Sequence, residues 1–153
     1  MNTGGYMQTS TVYDSTLVKL PKVFNEKGNI TAINNSEGII PFTIDRVYYL
    51  YDIPGGEGRG GHAHKELEQL IVAGSGSFDL MLSDGTTNKT FNLSRPYYGV
   101  YMPPGLWREL HNFSSGAICL VLASEKYDEA DYIRNKEEFN RYKKNKNVLK
   151  EIS

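Results

Sequence analysis

The sequence predicts an all-β fold, an antiparallel sandwich or barrel of short strands followed by one C-terminal helix. Three observations carry that reading. Runs rich in Val, Ile, Tyr, Phe and Leu recur between Gly, Pro, Asn and Asp at the spacing of hairpins. No helix-period segment of ten or more residues occurs before residue 125, which removes βαβ units and a parallel, doubly wound sheet. From Asp128 the composition turns to Glu, Asp, Lys, Arg and Asn, with Tyr132, Phe139 and Tyr142 at helical offsets.

Taken in order, the apolar runs bounded by turn residues place strands at 17–20, 29–34, 46–52, 60–64, 68–73 and 77–83. Ser83-Asp84-Gly85-Thr86 supplies a hairpin turn into a strand at 89–93, and the next strand is expected at 98–102. Pro103-Pro104-Gly105 breaks the chain before strands at 108–113 and 117–124. A helix over about 128–145 packs outside the β body and frays into a solvated lysine-rich tail, 143–150. At 153 residues the chain is expected to form one domain, with its core over about 17–124.

Composition limits the function. Lys plus Arg number 17 against 18 Asp plus Glu, so the basic surplus that would bind nucleic acid by charge alone is absent. A single cysteine, Cys119, excludes an intramolecular disulfide framework and a thiolate zinc cluster. A reducing compartment, the cytoplasm, fits best. Residues 1–10 are polar and Gly-containing, and no run of about 20 apolar residues occurs, so neither an export signal nor a membrane span is expected. Cys119 lies in the apolar run 117–123 and reads as a small buried hydrophobe rather than a catalytic thiol.

Two of the three histidines, His62 and His64, stand two residues apart on a predicted strand, and alternation points both imidazoles at one cavity. They sit in the pattern Gly56-(x)5-His62-Ala63-His64-(x)4-Gln69-(x)6-Gly76. A second pattern follows, Gly99-(x)3-Pro103-Pro104-Gly105-(x)2-Arg108-(x)3-Asn112. Together they resemble the two motifs of the cupin superfamily, which implies a small antiparallel β-barrel or jelly roll with its ligand site in the mouth. Metal-binding cupins present a Glu where this chain has Gln69, and a His where it has Arg108. A guanidinium has no free lone pair and stays charged, so Arg108 cannot ligate a cation and would repel one. Gln69 offers a neutral carbonyl oxygen, a poor substitute for a carboxylate at a divalent ion. His111, three residues beyond Arg108, faces the other side of a regular strand. A metal-free pocket is therefore expected.

Around the imidazoles the sequence offers further polar groups. In Arg46-Val47-Tyr48-Tyr49-Leu50-Tyr51, alternation puts Arg46 and Tyr48 on one face. Arg59 lies within a glycine-rich stretch, 55–61, which permits a bulge or close backbone approach but makes no phosphate loop. Positive charge beside an imidazole pair suits an anionic ligand or a developing oxyanion.

Within the cupins the chain resembles the nucleoside-diphosphate-sugar 3,4-ketoisomerases that act on dTDP-4-keto-6-deoxyglucose. The resemblance rests on Arg46-Val-Tyr-Tyr, on Arg59-Gly-Gly-His62-Ala-His64-Lys65-(x)3-Gln69, on Pro104-Gly105-Leu-Trp107-Arg108-Glu109, and on the stretch from Val121 to Arg134. It covers roughly residues 17 to 140. What it implies is migration of a sugar carbonyl from C4 to C3, ahead of amination at C3 and incorporation into bacterial surface polysaccharide. No metal or redox cofactor is implied, and a neutral imidazole suits such a proton relay.

On that resemblance His62 takes the C3 proton, and His64 orients the substrate or serves the hydroxyl protons. Tyr48, Arg59 and Arg108 are candidates for stabilising the enediolate. Arg46 and Arg134 are assigned to the pyrophosphate, Tyr97 or Tyr101 to stacking on thymine, and Lys65 and Gln69 to further substrate contacts. Arg at position 108 goes with a gluco-configured product, while Lys27 could face the same pocket and bear on the outcome. A homodimer is expected. Two other readings stand beside the isomerase: a metal-dependent cupin enzyme using His62, His64 and Gln69 with another ligand, and a non-catalytic sugar-nucleotide-binding module.

Overall fold

Burial alternates along the strands and divides the apolar side chains between an inner face and two outer ones. The computed structural model describes residues 9–152, with side chains through residue 145. Its strands are Thr16–Lys19 (β1), Arg46–Leu50 (β2), Arg59–His64 (β3), Gln69–Ser75 (β4), Phe78–Ser83 (β5), Asn88–Leu93 (β6), Tyr98–Met102 (β7), Trp107–His111 (β8), Ile118–Ala123 (β9) and Tyr132–Ile133 (β10). An α-helix, Lys136–Ile152 (α1), follows. The strands form two five-stranded antiparallel sheets, ordered β1-β7-β4-β9-β2 and β10-β3-β8-β5-β6.

Between the sheets lies the main core, where Ile71, Val100 and Val121 from the first meet Phe78, Leu80, Leu82 and Leu110 from the second. Phe78 stacks on Phe113 with ring centroids 5.1 Å apart. Each such side chain contributes about 1.5–3 kcal/mol by leaving water. The outer face of the first sheet, including Leu70, Val72 and Leu122, is covered by Leu20, Ile40 and neighbours from the chain that links β1 to β2. On the outer face of the second sheet, Ala63 and Trp107 pack against Ile133 and Phe139 of the C-terminal segment.

The all-β expectation holds, but the two sheets are not hydrogen-bonded into a closed barrel. The architecture is a jelly-roll sandwich. Segment 29–34 is not a strand; it makes only an isolated antiparallel bridge between Val23 and Ile30. Nor does a helix begin at Asp128. That carboxylate instead accepts from the Ala130 N–H and caps a 3-10 turn, Glu129–Asp131. Tyr132 and Ile133 then pair with His64 and Ala63, and Asn135 caps α1 by accepting from the N–H groups of Glu137 and Glu138. Lys143 is not part of a solvated tail. Its side chain is buried and its ammonium donates to the Ser10 carbonyl at 2.7 Å.

The pairing of β3 with β8 contains a bulge. Arg59 faces Leu110 and His62 faces Arg108, so two residues of β3 between these pairs oppose the single residue Glu109 of β8. Gly60 and Gly61 lie inside it. A Cβ on Gly61 would fall 2.4–2.5 Å from the Trp107 indole. Gly61→Ala is therefore expected to destabilise the fold by about 1–3 kcal/mol through overpacking, measured by urea unfolding, and an unchanged midpoint would contradict this account of the bulge.

Candidate functional site

The inward side chains of β2, β3 and β8 converge at one end of the sandwich on a cavity of about 340 Å³, lined by Tyr48, Arg59, His62, Arg108, Tyr132 and Arg134 among others. Arg59 and His62 are an odd number of residues apart and would face opposite ways on a regular strand. The bulge turns both toward the cavity. His64, 1% exposed, lies behind His62, with ring centroids 5.0 Å apart and planes at 89°. Tyr132 packs against both imidazoles, its centroid 5.2 Å from His62 and 4.3 Å from His64. The Nε2 atoms of both histidines are buried without a hydrogen-bond partner.

Opposite His62 stands Arg108, only 4% exposed. Its guanidinium donates to Gln69 Oε1 at 3.2 Å, and Gln69 Nε2 donates to the Tyr48 hydroxyl at 3.4 Å. An amide can accept from the cation and donate to the phenol at once; an ionised carboxylate could only accept. Gln69 therefore joins Arg108 to Tyr48 without cancelling the charge.

Burial, the Arg108 guanidinium, His64 and Arg134 together push His62 down to about 2. Burial also lowers His64, against the opposing effect of the Asp131 carboxylate. Both imidazoles are consequently neutral near pH 7. Burial raises the Tyr48 phenol despite the nearby Arg108, so it remains protonated. Cys119, buried in the core, is pushed up to about 11, consistent with an inert thiol.

Asp131 holds His64 from the far side. Its Oδ2 lies 3.0 Å from His64 Nδ1, and the backbone N–H groups of Glu66 and Leu67 donate to the same carboxylate at 2.7 and 3.3 Å. Burial favours the protonated acid, but these hydrogen bonds outweigh it and keep Asp131 below the ordinary carboxylate range. At the cavity mouth, Arg134 lies over Tyr132 and forms a forked pair with Glu129 at 2.7 and 2.8 Å.

Most of the residues singled out from the sequence come together here: Tyr48, Arg59, His62, Arg108 and Arg134 line the cavity, while His64 and Gln69 sit directly behind it. Arg46 lies against the rings of Tyr48 and Tyr127, its buried Nε without a hydrogen-bond partner. Other residues singled out from the sequence are elsewhere. Lys65 is exposed just past the end of β3 and donates to the Ala130 carbonyl. Tyr101 alternates with inward-facing Val100 and Met102, so it lies on the outer face and donates to Glu68 at 2.7 Å. Tyr97 lines a separate hollow of about 570 Å³ on that outer face, under the Lys22 ammonium. Lys27 lies in an exposed turn and is not among the residues that line the cavity. His111 is exposed, as the strand alternation requires. Asp131 and Tyr132 fall in a segment whose composition predicts helix, and the distinctive stretch from Val121 to Arg134 carries the sequence signal for them.

As a metal site the donor set is unsuited. Two imidazoles share the cavity with a guanidinium, and the nearest amide oxygen is already engaged by it. Among the described residues, no three His, Cys, Asp or Glu side chains gather into a metal-binding group.

Residues 13–144 match the family model described as FdtA, WxcM-like, C-terminal. A TDP-4-oxo-6-deoxy-alpha-D-glucose-3,4-oxoisomerase from Aneurinibacillus thermoaerophilus is 41% identical over 138 residues, 90% of this chain and 99% of that one. Among solved structures, the TDP-quinovose 3,4-ketoisomerase from Campylobacter jejuni is 43% identical with a TM-score of 0.79, covering 85% of this chain and 99% of the other. A sugar 3,4-ketoisomerase from Thermoanaerobacterium thermosaccharolyticum, in complex with TDP, is 37% identical with a TM-score of 0.83, covering 88% and 97%.

The lowered imidazoles have a consequence for stability. An unfolded histidine binds a proton near pH 6.5, whereas His62 in the fold stays neutral until about pH 2, so the unfolded chain binds more protons between those values. Stability therefore falls as the pH drops below 6.5, by at most about 2 kcal/mol from His62 on reaching about pH 5. Urea unfolding at about pH 7.5 and about pH 5 is expected to show this loss, and to show a smaller one in His62→Asn. An equal loss in both proteins would refute the assignment.

Proposed function

The chain belongs to the FdtA family, and from that premise we propose that it is a sugar-nucleotide isomerase converting dTDP-4-keto-6-deoxyglucose to a dTDP-3-keto-6-deoxyhexose by metal-free proton transfer. One observation carries the reading: two imidazoles directed inward from one strand, beside a buried guanidinium that faces His62 across the sheet.

The reaction moves two protons and no net electrons. The C3–H bond breaks and its proton passes to His62, while the electron pair forms the C3–C4 double bond and the C4 carbonyl becomes an enediolate oxygen. That oxygen takes up a proton, the C3 hydroxyl gives one up, the C3 carbonyl forms, and a proton returns to carbon at C4. A base for the first step must be uncharged at working pH, and burial beside Arg108 keeps His62 so. Arg108, Arg59 and the Tyr48 hydroxyl supply fixed positive charge or a hydrogen bond where the enediolate develops. Gln69 holds Arg108 and Tyr48 together.

Arg134 at the cavity mouth is suited to the diphosphate, whose two negative charges favour a forked donor. Arg46, stacked on Tyr48, is the second candidate for that role. The nucleotide is taken to be dTDP because the relatives are named for TDP-sugars and one was solved with TDP. Arg108 is a poor proton donor, which favours a gluco configuration at C4. The similarity to a TDP-quinovose enzyme agrees, quinovose being 6-deoxyglucose. A 3-keto sugar is a substrate for amination at C3, so we take the enzyme to act ahead of amino-sugar formation for surface polysaccharide, in the cytoplasm that a single free cysteine suits.

A homodimer is the assembly we infer. The edge strand β2 exposes Val47 and Tyr49 at more than half of their surface, with Tyr51 just beyond, an apolar strip that a second copy would cover.

Chelator-treated protein incubated with dTDP-4-keto-6-deoxyglucose is expected to give the gluco 3-keto product by NMR without added metal. His62→Asn is expected to lose turnover by about 100-fold or more while KM changes little. Activity that requires restored metal, or full activity in His62→Asn, would overturn the mechanism; a galacto product would overturn the configuration.

A further inference from the structure

Arg134 directly follows β10 and lines the mouth of the cavity. Its side chain is half-exposed, and so long a chain would sweep many positions if nothing held it. Two contacts do. The guanidinium lies 4.1 Å from the centre of the Tyr132 ring, and Glu129 accepts from its Nε and Nη2 at 2.7 and 2.8 Å. The Tyr127 hydroxyl donates to the same carboxylate. A guanidinium carries five N–H groups in one plane. Glu129 takes the Nε–Nη2 edge and leaves the Nη1–Nη2 edge as an intact fork; no second carboxylate among the described residues pairs with it.

A carboxylate beside a phosphate-binding arginine either competes for its fork or aims it, and the two effects on affinity are opposite. The edge that is occupied decides between them. We propose that Glu129, steadied by Tyr127, is a positioning residue that holds the Arg134 guanidinium over Tyr132 with its free fork turned to the diphosphate of the substrate. The assignment rests on the isomerase reading above and on Arg134 as the diphosphate group. Both Glu129 oxygens are engaged and the carboxylate is 58% exposed, so solvent screens its repulsion of a second anion. Arg134 holds Glu129 down to about 2, which keeps it ionised at any working pH. An exposed pair of this kind adds little to folding stability. Its effect lies in binding, because the ordering of a flexible side chain is already complete before the ligand arrives. The Glu129 side chain takes no part in the 3-10 turn, which is capped by Asp128 and closed by the Tyr132 N–H on the Glu129 carbonyl, so the turn survives its removal.

The test is calorimetric binding of dTDP to the full chain, with steady-state kinetics on dTDP-4-keto-6-deoxyglucose. Glu129→Ala is expected to weaken dTDP binding by about 5- to 10-fold, to raise KM in step, and to lower kcat far less. Tyr127→Phe, which leaves the ion pair in place, is expected to show a smaller loss in the same direction. In an Arg134→Gln background Glu129→Ala is expected to add no further loss, since the group it aims is gone. Unchanged or tighter dTDP binding in Glu129→Ala would overturn the proposal, as would an equal further loss in the Arg134→Gln background or a fall in kcat matching the rise in KM. Should Glu129→Ala fail to fold, Glu129→Gln, which keeps one acceptor and loses the charge, carries the same comparison. A folded wild-type protein that does not bind dTDP would overturn the sugar-nucleotide reading and the brace with it. Tight dTDP binding indifferent to Glu129→Ala would overturn the brace alone.

Discussion

The site depends on a register: His62 opposite Arg108 in the pairing of β3 with β8. A guanidinium at 4% exposure is costly unless hydrogen-bonded. Here it bonds to an amide rather than a carboxylate, so its charge is kept. Burial first, and this retained charge with it, keeps the imidazoles neutral. A carboxylate in place of Gln69 would satisfy the guanidinium better and weaken it as an electrostatic partner for substrate.

The rest of the fold secures that register. Gly61 admits the Trp107 indole close against β3, and the bulge brings Arg59 round to the cavity. Trp107 in turn belongs to the outer cluster with Ile133 and Phe139, which docks the C-terminal segment on the sheet. The same segment supplies Asp131 behind His64, Tyr132 against both imidazoles and Arg134 at the mouth. Packing on one face of β3 thereby sets the chemistry on the other.

Much of this was legible in the sequence because period-two alternation is a local rule. It gave both histidines one direction, placed Arg46 and Tyr48 together, and turned His111 away. What it could not supply was tertiary. Alternation alone does not say which of two buried faces a tyrosine joins, and Tyr97 and Tyr101 belong to the outer one. Aromatic spacing suits a short strand as well as a helix, so the pattern places Tyr132 in a helix that in the fold starts only at Lys136. The bond from Asp131 to His64 spans 67 residues and follows from β10 pairing with β3, not from any local pattern. The burial of Lys143 against Ser10 joins residues 133 positions apart and has no local signature in a lysine-rich run.

The most direct test of the central claim is the charge on His62 in the folded protein, followed through its ring resonances by NMR from about pH 8 to about pH 5. The account predicts an imidazole that remains neutral throughout this range. A titration with a midpoint near the ordinary histidine value of about 6.5 would mean that the guanidinium and burial do not control the ring, and would contradict it.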